Sequence, residues 1–326
     1  MKKLLDGIVP YNDLYYSYCL YNSLFSAIKY HNVDILPIMI NRIPEYSYIK
    51  DLMKIGVFYT VVEEQEKIMN KIGLKTILLE KFTDFHEFIK YSIDKGGPVI
   101  INIDWFYMPN QKQTYNKTHR MHTVMVIGYD DDNAMYSIYD QKFVDTLSYT
   151  NCEISFDSLK EAYNGYLDLY NKSYSHGVFS VQKFDNRVNH NSSDYKKIYI
   201  KNILNKEYFN MRLNVINDYL KNINELLDDT NFITEKFNSV LSGLNDIINH
   251  KNVEKFIYST LFKDEIENIN IIEKTVENWS IIRSKLLKSS FECVIDKKDK
   301  IRIVELLLEI KECEEIFCSN LPLFAE

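Results

Sequence analysis

The sequence predicts an α+β chain whose second half is entirely helical, and three observations carry that reading. Helical periodicity alternates with short β-rich runs over residues 1–184. Residues 122–139 read as a β-hairpin around a polar turn. Beyond residue 194, Pro is absent until Pro322 and Gly occurs only at Gly243, while long patterns of period 3.6 dominate.

In chain order, Leu20, Leu24, Ala27 and Ile28 give residues 17–30 helical spacing. Residues 63–72 form a second helix stopped by Gly73. Residues 75–79 are β-rich. Residues 83–93 read as a helix with Thr83 as N-cap, ended by Gly96, Gly97 and Pro98. Residues 99–103 are a buried strand and 122–128 another. Asp130, Asp131, Asp132 and Asn133 make a turn, so 135–139 pairs back. Residues 156–170 suggest a helix and 178–181 a last strand. The polar run 185–194 has turn chemistry and is expected to be a linker between a first domain, 1–184, and a helical domain, 195–326. Met211, Val215, Tyr219 and Ile223 mark one helical face of that domain. Phe232, Phe237 and Leu241, then Trp279 and Ile282, then Ile303, Leu307 and Ile310 mark others.

Composition narrows the function classes. With 46% hydrophobic residues among 326, the chain can bury a substantial core. Net charge is −7 and no Lys/Arg-rich block stands out, which argues against nucleic acid as a partner. An acidic surface suits an amine ligand, although it is equally the ordinary state of a soluble protein. The five cysteines, Cys19, Cys152, Cys293, Cys313 and Cys318, are irregularly spaced and support neither a zinc knuckle nor a redox pair. No run approaches a membrane-spanning length, and Asp6 breaks the short apolar run after Lys2 and Lys3. A cytoplasmic protein with reduced thiols, no membrane association and no cofactor is expected.

Cys19 opens a helix, His122 opens a strand, and Asp140 closes the strand returning from it. A lone Cys is more often a small buried hydrophobe, and a lone His in an apolar strand is usually structural. Together they are the parts of a papain-type nucleophilic site. The helix end favours a thiolate, the imidazole takes the proton, and the carboxylate orients the imidazole. A hairpin turned at 131–132 sets a residue near 122 opposite one near 141. His122 and Asp140 are therefore expected to be cross-strand neighbours within one residue of register. His119 and His122 have metal-like spacing, but no third ligand is evident and no metal is expected. The oxyanion needs a donor: the Cys19 N–H is one, and Asn12 or a nearby Tyr is a second candidate.

These residues resemble the butirosin biosynthesis protein H family. The resemblance rests on the G-P-V-I-I-N-I-D-W-F-Y-M-P run of residues 97–109, the H-T-V-M-V-I-G-Y-D run of 122–130, the Tyr139-Asp140 pair and the N-terminal Cys. It covers roughly residues 10–180, and the helical second half suits the same layout. It implies a papain-like (C39-peptidase-like) cysteine-protease fold with a C-terminal all-α domain. It also implies an acyltransferase that moves an acyl group from a carrier-protein phosphopantetheine thioester, through an acyl-Cys intermediate, to an amine or diamine in nonribosomal antibiotic biosynthesis. Position by position, Cys19 is then the nucleophile, His122 the base and Asp140 the orienting acid, while Asp104 and Tyr107 could equally line a substrate tunnel or pack a strand end. Papain-like enzymes commonly place Gln six residues before the Cys; here Asp13 stands there, and a carboxylate cannot donate unless protonated. Asp13 is thus an oxyanion candidate only in that form, or a site for an ammonium. A cysteine peptidase of the same fold and a non-catalytic binding protein with a degenerate fold are the rival readings.

Overall fold

The computed structural model describes residues 1–82, 84–143, 146–170, 172–173, 176–184, 192–204, 206–228, 236–292 and 294–321. Thr83, the expected helix cap, and residues 185–191 of the expected linker lie outside the described residues, as do Cys293 and Phe232. The elements run β1 (Lys2–Leu4), α1 (Leu20–Tyr30), α2 (Leu36–Met39), β2 (Arg42–Ile49), β3 (Lys54–Val61), α3 (Gln65–Lys71), β4 (Leu74–Leu78) and α4 (Phe85–Asp94). There follow β5 (Val99–Asp104), β6 (Met121–Asp130), β7 (Met135–Gln141), β8 (Tyr149–Ser155), α5 (Phe156–Leu169) and β9 (Val178–Lys183). Helices α6 (Ser192–Asn202), α7 (Lys206–Asp228), α8 (Phe237–Leu261), α9 (Ile266–Glu292) and α10 (Lys297–Ser319) complete the chain.

The chain divides into two units. One comprises Met1–Ile38 and Glu63–His190; the other comprises Met39–Val62 and Asn191–Glu326. The expectation of an uninterrupted first domain over 1–184 therefore needs correction. The β2–β3 hairpin, invisible to the periodicity argument, belongs with the helices. The reason is burial: Tyr46, Met53, Ile55 and Val57 share one apolar core with Ile216, Ile223, Leu244, Trp279, Ile282, Leu307 and Ile310. Gly243 allows this. A Cβ there would overlap the Ile55 carbonyl, so α8 lies directly on the β3 backbone. Met211, expected on a buried face, is exposed, while Arg212 beside it is buried. Arg212 bonds Glu254 and Glu314, each at 2.6 Å, and Lys251 reaches the same two carboxylates at 2.6 and 2.5 Å. Two cations thus offset two anions inside the bundle, and the buried charges are paired as burial demands.

In the first unit a seven-stranded antiparallel sheet runs β4-β9-β5-β6-β7-β8, with β1 pairing the outer half of β6. Strand β5 is buried along almost its whole length, because α1, α4 and α5 all pack on it. Its Val99, Ile100, Ile101 and Ile103 are fully buried, as are Leu24, Phe25 and Ile28 of α1, which packs on this strand. Asp84, not Thr83, caps α4, its Oδ1 accepting the N–H groups of His86 and Glu87 at 2.8 and 3.0 Å.

The hairpin carries a detail that matters for the site. β6 and β7 pair Asp130 with Met135 and Gly128 with Ser137, but Val126 with Ile138 and Met125 with Tyr139. A bulge between Val126 and Gly128 inserts one residue and shifts the register by one. One step beyond Met125 and Tyr139, the ladder sets Asp140 against Val124, whose side chain shares a sheet face with His122. Without the bulge Asp140 would oppose Met125 and turn to the other face.

Candidate active site

Cys19 is the N-cap of α1. The chain reaches it through Ser17, held at φ 58°, a left-handed conformation rare outside glycine, and the Tyr18 N–H bonds back to the Tyr16 carbonyl at 2.7 Å. The side chain stays partly exposed. Its Sγ lies 3.5 Å from Thr123 Oγ1, and Thr123 donates to Asn102 Oδ1 at 2.8 Å.

His122 is buried at the start of β6. Its Nε2 lies 3.2 Å from Asp140 Oδ1. That is an ion-pair distance; the N–H axis is not aligned on the oxygen, so Nε2 lacks a well-formed hydrogen bond. The ring stacks on Trp105 at 4.0 Å and 30°, and lies nearly parallel to Tyr149 at 6.0 Å and 19°. Asp140 is oriented in turn. Gln111 Nε2 donates to its Oδ2 and to the Gln141 carbonyl, both at 2.7 Å, and the Gln141 N–H donates to Oδ1 at 2.7 Å.

Thiol and imidazole polarise each other. Burial by itself would raise the Cys19 pKa, but the neighbouring His122 charge, hydrogen bonds from His122 and those from Thr123 bring it below the ordinary thiol value. Burial would likewise lower His122. The Cys19 charge and the Asp140 carboxylate outweigh it and raise the imidazolium to about 9. The two titrate as a pair, each favouring the charged form of the other.

The remaining candidates sit differently. Asn12 is committed: Nδ2 donates to the Tyr149 carbonyl and Oδ1 accepts the Tyr149 N–H, both at 2.9 Å. Asp13 is exposed and ion-paired to Lys29 at 3.3 Å. Neither side chain is disposed as an oxyanion donor. Asp104 is fully buried. Its Oδ1 accepts the N–H groups of Phe106 and Arg120 at 3.0 and 2.9 Å, and its Oδ2 lies 2.6 Å from His119 Nδ1. It ties down the 105–120 excursion rather than lining a tunnel, and it occupies His119, which also stacks on Phe106 at 4.2 Å. Tyr107 packs so closely on α5 that a Cβ at Gly165 would overlap its ring. Among the described residues no group of three or more His, Cys, Asp or Glu could hold a metal, and no helix is long and apolar enough to cross a membrane.

Sequence reasoning missed Gln111, Thr123 and Tyr149 as neighbours of the site, and it gave Trp105 no role. Trp105 and Gln111 lie in the excursion between β5 and β6, where no periodicity flags a residue. Tyr149 is on β8, a strand that was not anticipated.

An antiparallel sheet that presents an imidazole and a carboxylate from one hairpin to a thiol at a helix start is the papain-like α+β arrangement, followed here by C-terminal helices. Residues 36–141 match the family model described as butirosin biosynthesis protein H, N-terminal. Over this segment the chain is similar to the butirosin biosynthesis protein H family, a likeness that suggests an acyltransferase of antibiotic biosynthesis. The matched segment contains His122 and Asp140; Cys19 precedes it. No curated protein matches the chain.

Proposed function

We propose that this chain is a cysteine-dependent amide synthase. It takes an acyl group from a carrier-protein phosphopantetheine thioester, holds it on Cys19 and delivers it to an amine. The observation that carries the reading is the electrostatic pairing of Cys19 with His122, the latter raised to about 9 and set 3.2 Å from a buried Asp140. The imidazolium favours the thiolate, so His122 is the base that activates Cys19.

The Cys19 thiolate attacks the thioester carbonyl, and the C–S bond to the pantetheine breaks. The departing thiolate takes its proton from the His122 imidazolium. An amine then attacks the Cys19 thioester, and His122, now neutral, accepts the proton that the nitrogen sheds. Exchange of one thioester for another is nearly balanced, and amide formation from a thioester is downhill, so no nucleotide is needed. The acceptor is a small amine or diamine. The chemistry is of the kind that joins carrier-bound aromatic β-alanine chains to a diamine in closthioamide assembly.

Intact-protein mass spectrometry after mixing with acyl-loaded carrier proteins tests this. The expected result is a mass gain on Cys19 that disappears when a diamine is added and an amide is released. Cys19→Ala should give no adduct, and His122→Ala should slow its formation by about 10²–10⁴-fold. Peptide cleavage without amide product would favour a peptidase. A Cys19 no more reactive toward iodoacetamide than Cys152, whose thiol burial pushes up to about 12, would favour a non-catalytic protein.

A further inference from the structure

Acyl transfer at Cys19 needs a donor for the carbonyl oxygen as it turns into an oxyanion, and the two side chains nearest in sequence are unavailable. Asn12 spends its amide on the Tyr149 backbone, and Asp13 is exposed and paired with Lys29. The clamp itself points elsewhere. It fastens the segment leading to Cys19 onto Tyr149, the first residue of β8, which sits across from Gln141 in register. The Tyr149 ring lies against that of His122, centroids 6.0 Å apart and planes 19° apart. Its residue is 5% exposed, and its hydroxyl has no hydrogen-bond partner among the described residues. A buried hydroxyl without a partner is costly and calls for an explanation, and of those in this chain the Tyr149 hydroxyl is on the ring that lies against His122.

We infer that the Tyr149 hydroxyl is the side-chain donor to the oxyanion formed at Cys19, a role that rests on the acyl-transfer reading above. As the Cys19 Sγ–C bond forms, the carbonyl π pair moves onto oxygen, and the Tyr149 O–H donates a hydrogen bond to it without transferring its proton. When the pair returns to re-form C=O, the bond to the pantetheine sulfur breaks and His122 protonates that sulfur. Tyr149 is suited to the task because burial, and after it the charge of Cys19, holds its pKa well above the usual phenol value. It therefore remains a donor at every working pH. Its backbone, pinned on both sides by Asn12, gives the hydroxyl a fixed position before substrate arrives.

Two reactions of the same thiol separate this role from others. Alkylation by iodoacetamide needs the thiolate but makes no oxyanion, whereas acylation needs both. Tyr149→Phe keeps the ring against His122 and removes only the oxygen. Its expected signature is acylation slowed by about 10²–10³-fold with iodoacetamide alkylation unchanged in rate and pH profile. The acyl donors are p-nitrophenyl acetate and a benzoyl-β-alanyl N-acetylcysteamine thioester. Because the lost hydroxyl has no partner among the described residues, the variant should be no less heat-stable than the parent, which circular dichroism and a thermal melt on the same preparation check. Unchanged acylation overturns the assignment. So does equal slowing of both reactions, which would make Tyr149 a support for His122. A selective loss in Trp105→Phe but not in Tyr149→Phe would also overturn it, by moving the role to the buried, unpartnered indole N–H. A wild-type protein that is alkylated but never acylated would sink the acyl-transfer reading itself and Tyr149's role with it.

Discussion

His122 Nε2 reaches to 3.2 Å from Asp140 Oδ1 although their strands do not set the two residues directly opposite. The bulge between Val126 and Gly128 brings both side chains to one sheet face as diagonal neighbours, and Gln111 then turns the carboxylate toward the ring. The proposed chemistry depends on this relationship, and it sets the first expectation.

Asp140 is one of the charges that raise His122, so removing its charge lowers the imidazolium pKa. The rate of Cys19 acylation should rise with pH as the thiol ionises and fall near pH 9 as His122 loses its proton. In Asp140→Asn the falling limb should move to lower pH. A limb that stays near 9 in a folded Asp140→Asn protein would remove Asp140 from the site. The measurement is acyl-enzyme formation against pH by rapid quench and mass spectrometry.

Gln111 acts through Asp140. Gln111→Leu leaves the Oδ2 of a buried carboxylate without its 2.7 Å donor, which should cost about 1–3 kcal/mol of stability. It should also slow acylation while leaving the mass of the Cys19 adduct unchanged. Gln111→Glu sets a second carboxylate against Asp140 and should be worse in both respects. Denaturant titration and acylation kinetics on the same preparations check this.

Gly243→Ala tests the attachment of the hairpin to the helices. In an exposed helix the exchange would gain about 1 kcal/mol from propensity. Here the new Cβ overlaps the Ile55 carbonyl, and overpacking should turn the gain into a loss of about 1–3 kcal/mol. A lowered melting temperature by calorimetry is expected, and an unchanged or raised one would contradict the close approach of α8 to β3.

Arg212→Met leaves Glu254 and Glu314 sharing Lys251 alone, so one buried negative charge is uncompensated. The expected loss is about 3–5 kcal/mol by chemical denaturation. Adding Glu314→Gln to Arg212→Met restores the balance and should recover part of that loss.

Much of the sheet was legible in the sequence because it obeys local rules. Residues 99–103 read as a buried strand since α1, α4 and α5 cover both faces, and the acidic turn at 130–133 announced the hairpin. Strand β8 was not legible: its run of Tyr149, Thr150, Asn151, Cys152 and Glu153 is mostly polar and half-exposed, giving no alternation. The β2–β3 hairpin escaped for a related reason. Its apolar residues are few, and they face a core whose other wall lies more than 150 residues further along.

The sequence by itself determined the residue types and their order: a cysteine at a helix start, a histidine and an aspartate at one end of a hairpin, and a helical second half. Those follow from spacing and turn chemistry, which act over a few residues. Only the tertiary structure decided that a one-residue bulge turns Asp140 toward His122, that Gln111 orients it, that Asn12 is spent as a clamp, and that the Tyr149 hydroxyl, beside His122, lacks a hydrogen-bond partner among the described residues. These are contacts between segments distant in sequence. Their geometry is set by register and packing, and no local periodicity encodes it.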